Sequence, residues 1–467
     1  MPINTYEEFL YTLRTMLPLD ETFDLIERPL LFGDHRAAIY YLSGMLKDEI
    51  LQEMLSDLLR ETPETMTQCP EAGDFIRKKL SYVTANLEKN PHNMAHAILS
   101  GQTVMLVEPY NEAIIIDLRT YPVRSIGEPE KEKSLRGAKD GFVETMLFNV
   151  NLIRRRVRDP RLVFQMHNIG SISRTDVCIV YMKGIAPDDQ VKKLGQQIDQ
   201  ISRKTLTLGD QSLIEALTKK DWWNPFPRVR YTQRPDVVSA HLTEGKFAVL
   251  VDNSPTAILI PAGIFDYMSD VDDYYFPVMT GNYFRLIRML NMLVILFLPP
   301  VFLLIADGRI RVPEELVFLI PEPGYAVPIF WQFLLLEIAI DGLKLASLNT
   351  PSSLGMSLSV IGALILGQFS IDSGWLIPQT ILCMATVALA SFSQPGIELG
   401  YAIKFMRMSI LILSYALGLW GLAAALILDV IVMASTKTLT GNPYLSPLIP
   451  FHWKKLKRLL LRSHLPD

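Results

Sequence analysis

The sequence predicts an α+β N-terminal region of two small subdomains followed by an all-α polytopic membrane domain. Up to about Tyr283 the chain is dense in Lys, Arg, Asp and Glu, and helical periodicity alternates with short β-branched runs. Beyond that point lie long runs without a charged residue, at 289–306, 345–371, 373–397 and 408–428. Such runs of roughly 18 residues or more are candidates for membrane-spanning helices. With 49% hydrophobic and 20% charged residues, the composition fits a hybrid of soluble and membrane parts.

The pattern divides the chain into four predicted segments. They are an α+β subdomain at 1–122, a second one at 123–283, a transmembrane helical domain at 284–434 and a basic amphipathic tail at 435–467. The N-terminus MPINTYEEFLYTLRTML is acidic and lacks the pattern of a signal peptide, so we expect the N-terminal region to stay in the cytoplasm. No basic stripe with interleaved aromatic residues favours a nucleic-acid partner.

Cysteine and motif content argue against a disulfide framework, a metal site and an enzyme. The three cysteines, Cys69, Cys178 and Cys383, have neither CxxC spacing nor an even number. His92 and His96 have helical metal-ligand spacing, but no third ligand clusters beside them. No P-loop, GxGxxG or GxSxG occurs in the structural context that it would require. We therefore expect no cofactor, no bound metal and no enzymatic activity.

Periodicity and turn residues predict the elements of the soluble region in order. A helix opens the chain, and the turn residues Tyr110 and Asn111 join two strands of a hairpin, the second of which ends at Pro122. The other predicted elements are a strand at 36–42, a helix at 47–60, a helix in FVETMLFNVNLIRRRVRD, strands near 162–168 and 175–183, a helix at 187–202, and the strand pair KFAVLVD and TAILIP. This order is typical of an α+β fold.

The first apolar run is predicted to follow a cytoplasmic flank and to be irregular. Arg285 and Arg288 precede it, as positive charges do on the cytoplasmic side of a membrane helix. Pro299 and Pro300 lie in its middle and are expected to break or kink the helix, because proline removes a backbone donor and clashes with the preceding turn. A second span is predicted at 327–346.

The second span carries a charged stripe. Glu337, Asp341 and Lys344 are spaced by four and three residues, which places them on one helix face. A charge at the centre of a membrane helix costs roughly 2.5 to 3.5 kcal/mol, so these side chains must face water, a counter-charge or an ion. Asp341 can pair with Lys344 near the cytoplasmic end, whereas Glu337 has no partner on its own helix. We therefore take the three residues as pore candidates, with Glu337 lining a polar pathway and forming a cation-selective acidic ring in a symmetric oligomer.

A ridge of small residues follows the charged stripe. In SSLGMSLSVIGALILGQF, Gly355, Ser359, Ala363 and Gly367 occupy consecutive fourth positions. Such a ridge lets another helix approach closely. The helix that packs on the ridge belongs either to the same bundle or to a neighbouring subunit, and the sequence leaves both possibilities open.

The last apolar stretch conflicts with a simple count of spans. Five spans would leave the chain ends on opposite sides, yet the tail HWKKLKRLLLRSH is basic and is expected to be cytoplasmic. Either the stretch breaks near Gly418 and Gly421 into two legs, or a span between Pro351 and Pro395 is re-entrant. The tail sets leucines and a tryptophan against its lysines, as an interfacial amphipathic helix on anionic lipid does.

Two arginine-rich stretches of the soluble region have both a structural and a functional interpretation. In NLIRRRVRD the arginines complement a helix dipole and can pair with the acidic segment before the helix. In NPFPRVRYTQRPDVVSAHLTEG, Asp236 can open a helix as a first-turn acid, whereas Arg228, Arg230 and Arg234 can bind a carboxylate. These four residues are the ligand or signalling candidates, and both interpretations stay open.

Three blocks of the sequence resemble a known family. The blocks EPEKEKSLRGAKDGFVETMLFNVNLIRRRVRDPRL, PFPRVRYTQRPDVVSAHLTEGKFAVLVDNSP and NPYLSPLIPF are similar to the signature blocks of the bacterial spore germination receptor A-subunit family, the GerA type. The resemblance extends from about residue 22 to 453. The chain resembles the SpoVAF branch in particular, through FDLIERPLLFGDHRAAIYYLSG and through the pattern of Glu337, Asp341 and Lys344. Gln233 departs from the acid that the family commonly has before Arg-Pro-Asp.

The resemblance implies a multi-pass protein of the inner membrane of endospores, with the N-terminal domain and the C-terminal tail in the cytoplasm. Family A subunits are expected to oligomerise, as pentamers, into gated cation channels whose N-terminal domain receives the germination signal. Nutrient receptors of the family work with a transporter-like B subunit and a lipoprotein C subunit. The SpoVAF branch is expected to be an accessory channel that responds to ion release.

The leading prediction is a homo-oligomeric cation channel of spore germination that conducts monovalent cations and acts with other germination membrane proteins. The alternative is a nutrient (germinant) receptor subunit whose soluble domain binds a small ligand while a partner conducts ions. A third hypothesis is a membrane scaffold, in which the charged stripe binds another subunit.

Overall fold

The computed structural model describes most of the chain. The described residues are 5–80, 84–121, 129, 132–202, 205–206, 209–218, 223–321, 325–349 and 360–461. They form two compact units, of which the first comprises Met1–Lys220 and Val229–Pro261 and the second comprises Asp221–Arg228 and Ala262–Asp467. The four predicted segments stay a prediction; in the structure, residues 262–283 cluster with the helices that follow them.

The first half of the first unit is a five-stranded antiparallel sheet with helices on both faces. Its elements are α1 (Thr5–Met16), β1 (Leu25–Phe32), β2 (His35–Leu42), α2 (Asp48–Leu58), α3 (Pro63–Thr67), α4 (Ala72–Lys79), β3 (Ala85–Glu88), α5 (Pro91–Leu99), β4 (Thr103–Val107) and β5 (Ala113–Ile116). The strand order is β1-β2-β4-β5-β3. Ile39 of β2 packs in a core with α2 and α4, whereas Ala38 and Tyr40 pack with α1 and α5, since successive strand residues face opposite ways.

The second half of this unit repeats the arrangement. Its elements are α6 (Met146–Arg156), β6 (Leu162–Ile169), β7 (Thr175–Met182), α7 (Asp188–Asp199), α8 (Gly209–Leu217), β8 (Arg230–Thr232), α9 (Pro235–Thr243), β9 (Phe247–Val251) and β10 (Ala257–Ile260). The strand order β6-β7-β9-β10-β8 is that of the first sheet. Helices α5 and α9 both have nine residues and start at a proline, Pro91 or Pro235. Each is followed by a left-handed glycine, Gly101 or Gly245, at the same distance along the chain.

The second unit is helical. Its helices are α10 (Asp272–Tyr275), α11 (Val278–Ala306), α12 (Ile329–Asn349), α13 (Val360–Asp372), α14 (Pro378–Phe392), α15 (Ile397–Leu417), α16 (Leu419–Ser435) and α17 (Trp453–Leu460). Among the described residues, α11 is the one helix long and apolar enough to cross a membrane by length and composition, and α13, α14 and α16 are shorter apolar helices. An α+β region followed by apolar helices confirms the predicted fold class.

The two prolines of the first apolar run do not break its helix. Pro299 and Pro300 both lie inside α11, which continues to Ala306. The break is therefore not observed, and the alternative of a kink stays a prediction. A proline deprives the carbonyl four residues earlier of its helical donor, so a continuous helix needs another donor at that carbonyl.

The break expected near Gly418 is confirmed. Gly418 has φ 67°, a left-handed conformation that favours glycine, and it separates α15 from α16. The two helices form a hairpin, in which Ser409 donates a hydrogen bond of 3.1 Å to Asp429. A Cβ at Gly421 would lie 1.8 Å from the carbonyl oxygen of Leu413, so a larger residue does not fit at this crossing.

Several elements of the first unit differ from the prediction, and three of the differences have a clear description. β1 is not predicted, because Pro29 lies within it; a proline is tolerated there since β1 is at the edge of its sheet. The hairpin strand expected to end at Pro122 ends at Ile116, and α6 begins at Met146, after the predicted start at Phe142. The remaining predicted helices and strands of this region are present within a few residues.

Candidate functional site

Two neighbouring helices of the second unit bring charged side chains together. α12 contributes Glu337 and Asp341, and α15 contributes Lys404 and Arg407. Residues spaced by three or four lie on one face of a helix, so each helix presents one charged edge. Two acids and two bases therefore meet where two largely apolar helices pack. These four residues are called the ion-pair site below.

Glu337 is the buried centre of the ion-pair site. Nε and Nη2 of Arg407 both lie 2.6 Å from its Oε1, and Nζ of Lys404 lies 3.3 Å from its Oε2. Lys404 also forms an ion pair with Asp341, which is more exposed than Glu337. Glu337 and Arg407 are each only 4% exposed. Removing one partner of such a pair leaves a buried, uncompensated charge, so the two are energetically dependent on each other.

Arg407 has a further partner on α11. Its Nη1 donates to the backbone carbonyl of Ile295 at 3.2 Å. This carbonyl lacks its usual helical donor, because the residue four positions later is Pro299, which has no N–H. One guanidinium therefore joins three helices, and it satisfies a carbonyl at the point where a break is expected from the sequence.

A cavity of about 390 Å³ lies beside the ion-pair site. Both acids and both bases line it, together with Lys344 and with apolar residues of α14. The ammonium of Lys344 lies 5.6 Å from the ring centroid of Phe392. The expected pair of Asp341 with Lys344 is therefore wrong: the partner of Asp341 is Lys404 of the facing helix, while Lys344 lies over an aromatic ring.

The small-residue ridge is only partly described by the structure. Gly355 and Ser359 lie outside the described residues. Ala363 is exposed, and a Cβ at Gly367 would meet nothing within 4 Å. The tight contact of α13 is at Gly362 instead, where a Cβ would lie 2.8 Å from Leu343. Packing by the ridge thus stays a prediction, and the described chain leaves Ala363 and Gly367 room for another helix.

The ligand candidate Arg234 is held in a network inside the first unit. It is 1% exposed, directly precedes α9, and donates to Asp236 at 3.1 and 2.8 Å. It also donates to the backbone carbonyls of Glu132 at 3.0 Å and Ala138 at 2.9 Å. Asp236 lies in the first turn of α9, as its structural interpretation predicts. A ligand carboxylate at Arg234 stays a prediction and would compete with these bonds.

The other two arginine candidates differ in location. Arg230 is buried on β8 of the first unit. Arg228 is partly buried and belongs to the segment that clusters with the helical unit. Binding of a carboxylate by these residues stays a prediction.

Sequence reasoning missed Glu132, which lies beside Arg234. Its Oε2 accepts hydrogen bonds from the hydroxyl of Thr232 at 3.0 Å and from the backbone of Gln233 at 2.5 Å. Burial raises the pKa of the Glu132 carboxyl, while these hydrogen bonds and the charges of Arg230 and Arg234 act in the opposite direction. The carboxyl therefore belongs to the same network that holds the start of α9.

Other buried arginines have structural partners. Arg154 and Asp24 are fully buried and 2.8 Å apart, which joins the two halves of the first unit. Arg285 and Arg288 were expected to form a positive membrane flank, but both are buried and form ion pairs with Asp273, which precedes α11. Asp273 thus offsets part of their positive charge within the helical unit, and the cytoplasmic flank stays a prediction.

Lys404 and Arg407 are the functional candidates that sequence reasoning did not single out. A signal for them exists, because both stand at a spacing of three residues in a largely apolar helix, whose other charged residue, Glu398, lies in its first turn. An apolar helix with two acids and another with two bases can neutralise each other by packing face to face. Their pairing could therefore have been proposed from the two patterns together.

Comparisons with known proteins agree along nearly the whole chain. Residues 13–467 match the family model described as Bacillus/Clostridium GerA spore germination protein. Stage V sporulation protein AF of Bacillus subtilis (strain 168) is 34% identical over 451 residues, which cover 95% of this chain and 90% of that protein. Spore germination protein KA of the same organism is 28% identical over 445 residues, covering 94% of this chain and 81% of that protein.

One solved structure is also similar. The N-terminal domain of the A subunit of the Bacillus megaterium spore germinant receptor GerK3 has 23% sequence identity and a TM-score of 0.41, covering 55% of this chain and 92% of that chain. The family assignment depends on the full-length sequence matches. Because the family model spans almost every residue and a relative exceeds 30% identity over 95% of the chain, this chain belongs to the GerA family of spore germination proteins.

Proposed function

We propose that this chain, a germination-related membrane subunit, forms an oligomeric gated cation channel that takes part in ion release during spore germination. In this proposal the subunits surround a pore, as pentamers, in the inner spore membrane. The first unit and the C-terminal tail lie in the cytoplasm, and other germination membrane proteins act with the channel. Glu337 and Asp341 are the carboxylates that permeant monovalent cations meet.

The ion-pair site is the observation that supports this proposal. Two carboxylates lie among apolar helices beside a cavity of about 390 Å³, and each has a cationic partner on the facing helix α15. Placing an ionised acid inside a membrane costs free energy, so such acids characteristically line ion pathways or pair with a residue of opposite charge. An acid next to a cavity can release the Lys or Arg side chain that it pairs with and bind a mobile cation instead. A gated cation pathway requires such an exchange.

The outer surface of the helical unit supports a membrane location. Large apolar side chains are exposed on α14, α15 and α16, among them Leu389, Ile412 and Trp420, which is 84% exposed. A protein in water rarely exposes so many large apolar residues. Lipid tails and neighbouring subunits are the surroundings that suit such faces.

The proposal is tested by monovalent cation flux. We would reconstitute the purified full-length protein in liposomes and measure K⁺ release from wild type and from Glu337→Gln. We expect flux from the wild type, and the variant to lose about tenfold, the factor that corresponds to about 1.4 kcal/mol, or to change its selectivity between K⁺ and Na⁺. The physical reason is that an amide attracts a cation far less than a carboxylate does.

The matched control is Glu398→Gln. Glu398 is an exposed acid in the first turn of α15, outside the ion-pair site. Its replacement should leave flux unchanged, and all variants must assemble to the same size in detergent. An intact wild-type oligomer without flux would contradict the proposed channel.

The alternative is a germinant receptor whose first unit binds a small ligand while a partner conducts. Relatives of the chain are named spore germination proteins, which fits either function. The candidate Arg234 uses its donors within the chain, so this alternative has weaker support. Ligand-dependent stabilisation by an amino acid, lost in an Arg230 variant and kept in Glu337→Gln, would favour it.

A further inference from the structure

The ion-pair site contains a residue placed to control whether its acids are available to cations. Arg407 holds Glu337 by two contacts of 2.6 Å and the carbonyl of Ile295 by one of 3.2 Å. With a side chain only 5% exposed, it cannot turn into solvent while α11 and α12 keep these positions. The side chain of Lys404 is more exposed than that of Arg407, and its ammonium lies closer to Asp341 than to Glu337. Of the two acids, Arg407 therefore contacts Glu337 alone, whereas Lys404 lies near both.

We propose that Arg407 is a positioning residue that restricts the access of cations to Glu337 in the resting state and so keeps basal flux low, using the carbonyl freed by Pro299 as its anchor. This inference rests on the proposed channel function. A mobile cation and the guanidinium compete for the same carboxylate, so Glu337 attracts a cation more strongly when Arg407 withdraws, although Lys404 stays near its other oxygen. Opening then requires a displacement of α15 relative to α11 and α12, since Arg407 contacts both.

The role of the proline follows from hydrogen-bond geometry. In a regular helix the carbonyl of Ile295 would be occupied by the N–H of residue 299. Pro299 leaves that carbonyl available, and Arg407 donates to it from the neighbouring helix. The adjacent Pro300 acts on the carbonyl of Leu296, which Arg407 does not contact in the described structure. The two prolines therefore have separable effects, although they are neighbours in one helix.

The decisive test compares opposite partners of one ion pair. In the liposome assay with K⁺, Arg407→Gln should raise basal flux by about tenfold or more, because Glu337 loses its competitor. Glu337→Gln should lower flux. A merely structural ion pair predicts the same direction for both variants, since each breaks the same contact. The double variant Glu337→Gln/Arg407→Gln should not exceed wild-type flux, because the acid that attracts K⁺ is gone.

Further variants keep the proposal testable if Arg407→Gln does not assemble. Arg407→Lys retains the charge but lacks the fork that reaches both Glu337 and Ile295, so it should raise flux less than Arg407→Gln. Pro299→Ala supplies an N–H to the Ile295 carbonyl and should also raise flux, whereas Pro300→Ala is the matched control and should not. Arg309→Gln removes an exposed arginine of the same unit and should leave flux unchanged.

A second readout does not depend on conduction. We would measure thermal unfolding of the detergent-solubilised oligomer in KCl and in N-methylglucamine chloride at equal ionic strength. K⁺ should raise the unfolding temperature of Arg407→Gln but not that of wild type, and the double variant should lose the effect. Failure of wild-type flux together with this K⁺ effect would reject the channel and keep the competition at Glu337. Equal behaviour of Arg407→Gln and Arg309→Gln in both assays would reject the inference.

Discussion

The two halves of the first unit share a topology but use the start of their corresponding helices differently. In the first half, Asn90 precedes Pro91 and its side chain accepts a hydrogen bond of 2.9 Å from the backbone of His92. In the second half, Arg234 precedes Pro235, is fully buried, and bonds to carbonyls 102 and 96 residues earlier in the chain. The first position completes its own helix, as N-cap asparagines do. The arginine at the second position binds the segment that contains Glu132 and Ala138.

This difference shows which of the two equivalent positions, Asn90 or Arg234, makes contacts that are distant along the chain. Both helices tolerate proline at their first residue, where its missing N–H would be unpaired in any case. The backbone therefore sets the same requirement in each half, and the side chain before proline meets it differently. The comparison predicts that equal substitutions at the two positions will have unequal costs.

Arg234→Met should have the largest effect. It removes the partner of a partly buried acid and of two carbonyls, so we expect the free energy of unfolding to fall by about 3 kcal/mol. Urea titration of the full-length protein in detergent measures this change. The control is Arg161→Met, which breaks a more exposed pair with Asp159, also two residues away, and should cost far less because solvent screens that pair. Equal losses in the two variants would contradict the assigned role.

Asn90→Ala should have a smaller effect, because it removes one capping hydrogen bond at an exposed helix start. We expect a loss of about 1 kcal/mol in the same titration. Asn90→Ser keeps a capping oxygen and should recover most of that loss. A cost for Asn90→Ala as large as that for Arg234→Met would erase the distinction between the two halves.

Glu132→Gln should have the smallest effect at neutral pH and a distinct pH dependence. Burial raises the pKa of Glu132, so its contribution to stability is complete below its unfolded value of 4.5 and is lost as pH rises through the folded pKa. The amide can still accept from Thr232 and Gln233 but does not ionise. Unfolding curves from about pH 4 to about pH 8 should show that the variant lacks this decline, with stability within about 1 kcal/mol of wild type near neutrality. A steeper decline in the variant would contradict the assignment.

Much of the soluble fold could be predicted because its elements have clear periods. β2, α2, α7 and the strand pair of β9 and β10 follow apolar patterns that need no tertiary information. β3 and β8 are too short for a period to appear, and Pro29 disguises β1 as a loop. These elements become visible only once the sheet pairs them, because edge strands tolerate short length and proline.

The candidate site could be predicted only in part. The stripe of Glu337 and Asp341 is a local pattern, and its cost in an apolar helix shows from sequence that a partner is required. The identity of the partner is not local, since Arg407 is 70 residues from Glu337. The contact to Ile295 is further removed from any pattern, because it depends on a carbonyl that a proline leaves without a donor. Which side chain donates to such a carbonyl is decided by how the helices pack.

Gly418 has a consequence for the order in which the helical unit forms. The turn between α15 and α16 is a single left-handed glycine, so pairing these helices closes almost no loop. Contacts of low sequence separation form early in folding, and the hairpin is expected to exist before α15 meets α12. Lys404 and Arg407 would then be presented from a finished two-helix unit, and the pairing with Glu337 would be a late event in assembly.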